Sequence, residues 1–290
     1  MAEVAKPDAS VQPAAHGRPA LLRQAQRENF PVASFLLPKA QRPAVIAFYN
    51  FVRTADDIAD SPTLATEAKF EALAALEAGL DGAPGPTVAQ TLHAIDARFG
   101  CGVREARAML AAFRQDAANA PIADEAGLRA YCQASANPVG HFLLHLHGTH
   151  DARAFLTSDG LCTALQLLNH HQDVRTDYRD LRRIYLPQTW LDAAGVAPEA
   201  LAAERASAGV ARVLARLHAL AGVELAKAAP LCRHISNRRM RAEAGAIRAL
   251  ARALHRRLAG ADPLAHDIRL SKPAKLAVGL SGALRGMVAA

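Results

Sequence analysis

Two short acidic runs carry the side chains with the most chemistry to offer. Arg53-Thr54-Ala55-Asp56-Asp57-Ile58-Ala59-Asp60 and Asn169-His170-His171-Gln172-Asp173-Val174-Arg175-Thr176-Asp177 each set two carboxylates four residues apart. On an α-helix that spacing puts both on one face, where like charges repel. A bound cation removes the repulsion, and carboxylate oxygens suit a hard ion such as magnesium. Asp57, three residues before Asp60, can join the first pair as a ligand. Magnesium takes one or two carboxylates and leaves the rest of its sphere to waters and phosphates, so a diphosphate fits between two such pairs facing across a cavity. Acidic pairs also arise on any solvated helix end. These two stand out because both occur in one chain, each beside an arginine that can fork onto phosphate oxygens.

The elements that must position them read as helices. Val45, Phe48, Tyr49 and Val52 recur at helical spacing behind Pro43, which predicts a helix from there to about Asp60. Leu165 and Leu168, ahead of the second run, predict that its helix also packs into a core. Ser61-Pro62 is expected to end the first helix and cap the next, which carries Phe70, Leu73, Leu76 and Leu80. After the loop Gly82–Pro86, helices are expected over 87–99, 103–118, 124–147, 151–180, 198–228, 234–258 and 273–287, with a kink or break at Pro138 and Gly140. There is no β alternation, internal repeat or mid-chain linker. The chain therefore reads as all-α, with one domain over 21–290 behind a disordered lead-in over 1–20.

Composition agrees. Hydrophobic residues make up 51% and aromatics only 5%, so Ala and Leu, good helix formers, fill the core. The net charge of +7 attracts anionic surfaces in general, but the arginines are scattered. Arg238-Arg239 and Arg241, with Arg256-Arg257, read as a solvated or membrane-facing surface rather than a nucleic-acid reader. Lys272–Arg285 has the mixture of a helix lying on lipid or packed terminally on the core. Cys101, Cys132, Cys162 and Cys232 form no CxxC pair and read as reduced, buried thiols rather than a zinc site. His141 and His145 share a face, but no carboxylate stands at metal-ligand spacing. Residues 1–20 lack a signal-peptide core, and the longest apolar stretch, 44–52, is too short to span a bilayer. A cytoplasmic protein is expected, with peripheral membrane contact open.

Around the acidic runs the chain resembles the squalene/phytoene synthase family of trans-isoprenyl diphosphate synthases, over roughly residues 25 to 275. Tyr49-Asn50-Phe51-Val52-Arg53, leading into Asp56 and Asp60, is similar to the family's first aspartate motif. Gln166-Leu167-Leu168-Asn169, followed by Asp173 and Asp177, is similar to the second. Arg183-Ile184-Tyr185-Leu186-Pro187 resembles its R-x-Y-L-P end, and Tyr131-Cys132 with Val139-Gly140 its Y-C…V-G helix. Glu28-Asn29-Phe30-Pro31-Val32-Ala33-Ser34, Ser135–Gly140 and Gln172 before Asp173 resemble the hydroxysqualene synthases within that family. Two departures are visible. His170-His171 stands where aromatic or aliphatic residues are usual, and the stretch from Asp177 to Tyr185 is one residue longer, leaving Arg182 and Arg183 as rivals for one role.

The resemblance implies a helical bundle around a central apolar cavity, magnesium as cofactor, and conversion of presqualene diphosphate to hydroxysqualene. It implies magnesium on Asp56, Asp57, Asp60, Asp173 and Asp177, and a diphosphate met by Arg53, Arg183, Tyr185 and Asn29. The rings of Phe30, Phe48, Tyr49 and Phe51 are candidates to face the carbocation, and Tyr131, Gln166 and Asn169 to position the water that captures it. No Gly-x-Gly-x-x-Gly signature for a hydride-donating nucleotide is present, which agrees with an alcohol product. The rival readings are a condensing synthase acting on two prenyl diphosphates, such as farnesyl diphosphate, and a catalytically inactive relative serving in assembly.

Overall fold

Pro43 opens helix α1 (Arg42–Asp60) in its first turn, where a missing N–H costs nothing and a fixed φ suits the helix. Ala44, Phe48, Phe51, Ala55 and Ala59 bury one face of it, and the chain turns out at Ser61. The computed structural model describes residues 38–289, so the expected lead-in over 1–20 and the candidates Asn29 and Phe30 lie outside it. All regular elements among the described residues are helical. Helices α2 (Thr66–Leu80), α3 (Thr87–Phe99) and α4 (Val103–Ala117) follow, close to their predicted spans.

Pro138 divides the next predicted helix into α5 (Glu125–Ser135) and α6 (Asn137–Leu146). Its ring and missing N–H admit it only to the first turn of the second piece. Helix α7 (Ala152–Leu181) starts where Asp151 caps the N–H of Arg153, and it ends on Arg182 with φ 55, a left-handed cap. That reversal brings the N–H of Arg183 back onto the Asp177 carbonyl at 3.1 Å.

Four expectations are corrected. Ser61 does not cap α2, which begins behind Ala65 without a side-chain cap; its hydroxyl accepts the N–H groups of Thr63 and Leu64 in a local turn instead. A short helix missed in the sequence, α8 (Gln188–Ala194), precedes Gly195, whose φ of 64 is the left-handed conformation glycine supplies without strain. The predicted 198–228 helix is a 3₁₀ turn (Pro198–Ala202) and then α9 (Ala208–Lys227), because Ser207 caps the N–H of Val210 and starts the helix afresh. Likewise Asn237 caps α10 (Arg238–Leu258) later than expected, behind a 3₁₀ turn over Leu231–His234.

Two apolar clusters form. One joins α1, α2, α3 and α4 with Phe142 and Leu146 of α6; the other joins α5, α7, α8, α9 and α10. They meet around a cavity whose wall takes Phe48, Met109 and Phe113 from the first cluster and Tyr131, Leu161 and Met240 from the second.

Helix α11 (Lys272–Val288) lies against α10. A Cβ at Gly245 would collide with the Gly282 carbonyl and stand 2.8 Å from Gly286 Cα, so glycine on both helices sets their separation. Gly245→Val is expected to destabilise the protein by about 1–3 kcal/mol through overpacking. Denaturant titration with limited proteolysis of the 259–271 connection measures this; unchanged stability and protection would contradict the close-packing account.

Candidate active site

The cavity has a volume of about 560 Å³, within the range of small-molecule sites. Its long walls are one stripe of α1 (Val45, Tyr49, Val52, Arg53, Asp56, Asp60) and one of α7 (Ser158, Leu161, Leu165, Asn169, Asp173, Asp177). Each stripe repeats every three or four residues, and each passes from apolar or small residues to aspartates toward the helix C-terminus. The α7 stripe spans about 28 Å of helix axis. The cavity therefore has an acidic end and an apolar end.

At the acidic end the geometry brings together four of the five aspartates read from the sequence. Asp56, Asp60, Asp173 and Asp177 line the wall; Asp57 does not, and its side chain is 59% exposed. Arg53 binds Asp56 at 2.9 Å and Asp57 at 2.6 Å, so its guanidinium is held by carboxylates. Burial, followed by repulsion from Asp60, pushes Asp56 up to about 7 against the pull of Arg53. Burial and repulsion from Asp173 push Asp177 up to about 8. Burial also raises Asp173, with Arg269 opposing.

Arg182 and Arg183 part company at the cavity, which only Arg183 lines. Arg182 takes the left-handed cap and lies over the Tyr178 ring. Arg183 is buried, binds Asp60 Oδ1 at 2.5 Å, and donates to the carbonyls of Ala59 at 3.1 Å and Asp116 at 3.2 Å. Burial works against its charge, but Tyr185, Asp116 and Asp60 outweigh that and raise its pKa.

Asp116 was missed in the sequence reading. Its carboxylate accepts the Tyr131 hydroxyl at 2.9 Å and the Tyr185 hydroxyl at 3.1 Å. It thereby joins α4 to α5 and to the segment beyond α7. The signal was its position, a charge seven residues after Met109 on a face buried at Ala106, Met109, Leu110, Phe113 and Ala117.

Other candidates separate. Phe48 stacks on Phe142 with centroids 4.1 Å apart and lines the cavity beside Tyr49, whereas Phe51 is fully buried in the core and off the wall. Gln166, Asn169, Tyr131 and Tyr185 line the cavity. His170 does too, stacked on Tyr185 at 4.2 Å, and burial lowers its pKa to about 3, so it is a neutral ring. His171 turns away to meet His218 edge-on. His141 and His145 are engaged by Asp159 and Glu105.

Glu243 is the second residue the sequence reading missed. It is 5% exposed, lines the cavity from α10, and has no hydrogen-bond partner among the described residues. Burial alone pushes it up to about 7, whereas the aspartates also feel one another, so it stands apart from them. The helix directions agree. His234, just before α10, lies 3.7 Å from Asp151 at the start of α7, while Gln172 and Arg175 late in α7 donate to the carbonyls of Ile268 and Leu264 beyond α10. α10 thus runs alongside α7 in the same sense, which sets Glu243 level with the apolar half of the wall.

Among the described residues no three His, Cys, Asp or Glu side chains close on a point as a ready metal cage. The donors instead fit an ion shared with a phosphate: carboxylate pairs on two helices, burdened with unbalanced charge and leaving coordination sites open. The same charge has a pH signature. Asp56 and Asp177 hold protons more tightly in the folded chain than at the ordinary carboxylate value near 4. Between that value and about 8 the folded state binds more protons, so stability falls as pH rises. Thermal melts of metal-free protein from about pH 6 to about pH 8 are expected to show this decline, flattened in Asp177→Asn. A melting temperature that rises over that window would contradict it.

The chain and its fold have known counterparts. Residues 23–275 match the squalene/phytoene synthase family. The chain is 39% identical over 259 residues to a hydroxysqualene synthase of Rhodopseudomonas palustris, covering 89% of this chain and 88% of that one. It is 39% identical to a hydroxysqualene synthase of Sinorhizobium fredii, over 85% and 84% of the two chains. The crystal structure of squalene synthase HpnC from Alicyclobacillus acidocaldarius superposes with a TM-score of 0.67 at 28% identity, covering 81% of this chain and 90% of that one. With a match over most of its length, this chain belongs to the squalene/phytoene synthase family.

Proposed function

We propose that the protein converts presqualene diphosphate and water into hydroxysqualene and inorganic diphosphate, with magnesium as cofactor. Its similarity to hydroxysqualene synthases supports the reaction class. The observation that carries the water-capturing step is Glu243, a buried carboxyl without a partner in the half of the cavity that is otherwise uncharged.

Asp56, Asp60, Asp173 and Asp177 would hold the metal, which when bound offsets diphosphate charge and improves it as a leaving group. Arg183, fixed by Asp60 and Asp116, presents a charge that does not need to reorganise as the C–O bond breaks. Arg53 and Asn29 are further phosphate contacts, with Arg53 exchanging a carboxylate for the substrate. The hydrocarbon extends along the apolar stripes, and the rings of Phe48 and Tyr49 face the cation at about 0.5–2 kcal/mol each; Phe30, outside the described residues, is a further candidate by resemblance.

Water then forms a C–O bond to the rearranged carbocation and loses a proton. Glu243 as carboxylate takes that proton and becomes the acid. A pKa of about 7 keeps a useful fraction ionised at neutral pH. Tyr131 gives its proton to Asp116, so toward the cavity its oxygen is an acceptor; Gln166 and Asn169 supply amides that orient the water.

Purified protein with magnesium is expected to form hydroxysqualene from presqualene diphosphate, with ¹⁸O from labelled water in the alcohol by mass spectrometry. It should yield no condensation product from farnesyl diphosphate; turnover of farnesyl diphosphate alone would replace this reading with the condensing one. Glu243→Gln is expected to keep diphosphate release while alcohol formation drops by about 10²-fold in favour of hydrocarbon products. An unchanged product distribution would remove Glu243 from the mechanism and leave the rest intact.

A further inference from the structure

Helix α11 carries an apolar stripe that nothing among the described residues covers. Leu276, Leu280, Leu284 and Val288 recur every four residues and are 65%, 58%, 62% and 79% exposed. A soluble helix normally turns such a stripe inward. Here the buried side is made of Gly282, Ala283 and Gly286, which bring α11 against Gly245 of α10 and leave the leucines facing out.

Beside the stripe runs a groove of about 390 Å³ between α10 and α11. Arg248, Arg252 and Arg256 line it at four-residue spacing from α10, and Ser281 and Arg285 line it from α11; no acidic residue does. Ser281 and Arg285 each directly follow a leucine of the stripe, so groove and stripe are adjacent on one surface. Arg248 donates to the Ala229 carbonyl and Arg285 to Ser281. Arg252 and Arg256 make no hydrogen bond or ion pair among the described residues, and both are exposed. Four guanidinium groups without a counterion, flanking solvent-facing leucines, form a surface whose complement is negative at one level and apolar just beneath.

We propose that this surface docks the protein on an anionic phospholipid bilayer, with lipid phosphates in the arginine groove and the Leu276–Val288 stripe in the acyl boundary. An amphipathic helix of this kind lies in the plane of the interface. Because no helix among the described residues is long and apolar enough to cross a membrane, the contact is peripheral. Electrostatic attraction brings the basic face to the membrane, and apolar burial holds it there. This assignment is independent of the reaction catalysed.

The test is flotation of the full chain with vesicles of phosphatidylcholine alone and of equimolar phosphatidylcholine and phosphatidylglycerol. Co-flotation with the anionic vesicles only, weakened by salt, is the expected result. Arg252→Glu/Arg256→Glu and Leu276→Ser/Leu280→Ser/Leu284→Ser should each reduce binding by about tenfold or more while circular dichroism stays native. Equal binding to both vesicle types, or full binding by either variant, overturns the proposal. So does a wild-type chain that stays unbound, including one that dimerises through the leucines and loses its dimer in the triple serine variant; that result assigns the stripe to a second copy.

Discussion

Repulsion among carboxylates in a partly dehydrated wall is the constraint around which the rest of this structure is arranged. Asp56 and Asp177 each feel Asp60 and Asp116; Arg53 answers Asp56, and one buried guanidinium, Arg183, pairs with Asp60 and Asp116 and acts on Asp177. Its place is built into the backbone. Arg182 accepts a left-handed conformation, at about 1–2 kcal/mol for a residue with a Cβ, and the chain returns Arg183 to the site it has just left. Asp116 then holds Arg183 from below while taking the hydroxyls of Tyr131 and Tyr185. The Asp116 carboxylate thus ties α4 to α5 and to the segment beyond α7, and Arg183 in that segment carries the tie on to Asp60 of α1. Fewer guanidinium groups than carboxylates line this end, which is the imbalance that the proposed divalent cation would relieve.

The second organising feature is direction. α1 and α7 both run from apolar to acidic along the cavity, so the two gradients add instead of cancelling. An amphiphile with a charged head and a long hydrocarbon has only one way to enter such a space. α10 runs in the same sense as α7, which places Glu243 away from the acidic end, where on the proposed mechanism a base would meet the cation without competing for metal. The small residues Gly140 and Ser158 matter here as well. A Cβ at Gly140 would strike Ser158 Oγ, so α6 and α7 already touch at this level and the cavity owes its room to what these positions lack.

Much of this was legible in the chain because it is local. The i, i+4 aspartates, the helix of α3 and the break at Pro138 each follow from a few neighbouring residues. Where several local signals competed, the reading slipped: alanine-rich sequence after Pro198 suggested one long helix, although Ser207 was an available cap. The harder failures were non-local. Asp56 and Asp57 are chemically alike, and which of them faces the cavity depends on how burial of Phe51 and Ala55 rotates α1. Asp116 and Glu243 each sit on a buried helical stripe, but a charge on such a stripe says only that something must receive it. Whether that is a tyrosine hydroxyl, as for Asp116, or an open cavity, as for Glu243, is decided by helices distant in sequence. Asn29 and Phe30 were read from resemblance alone.

The central claim is that Asp56 and Asp177, whose proton affinity is raised by burial and by neighbouring carboxylates, belong to the proposed metal and diphosphate site, so that binding there must displace protons. Isothermal titration of magnesium in the presence of inorganic diphosphate, repeated in buffers of different ionisation enthalpy, measures the protons exchanged on binding. The account predicts proton release at about pH 7, with affinity and release both reduced in Asp56→Asn/Asp177→Asn. Binding without proton release, at an affinity the double variant leaves unchanged, would contradict it.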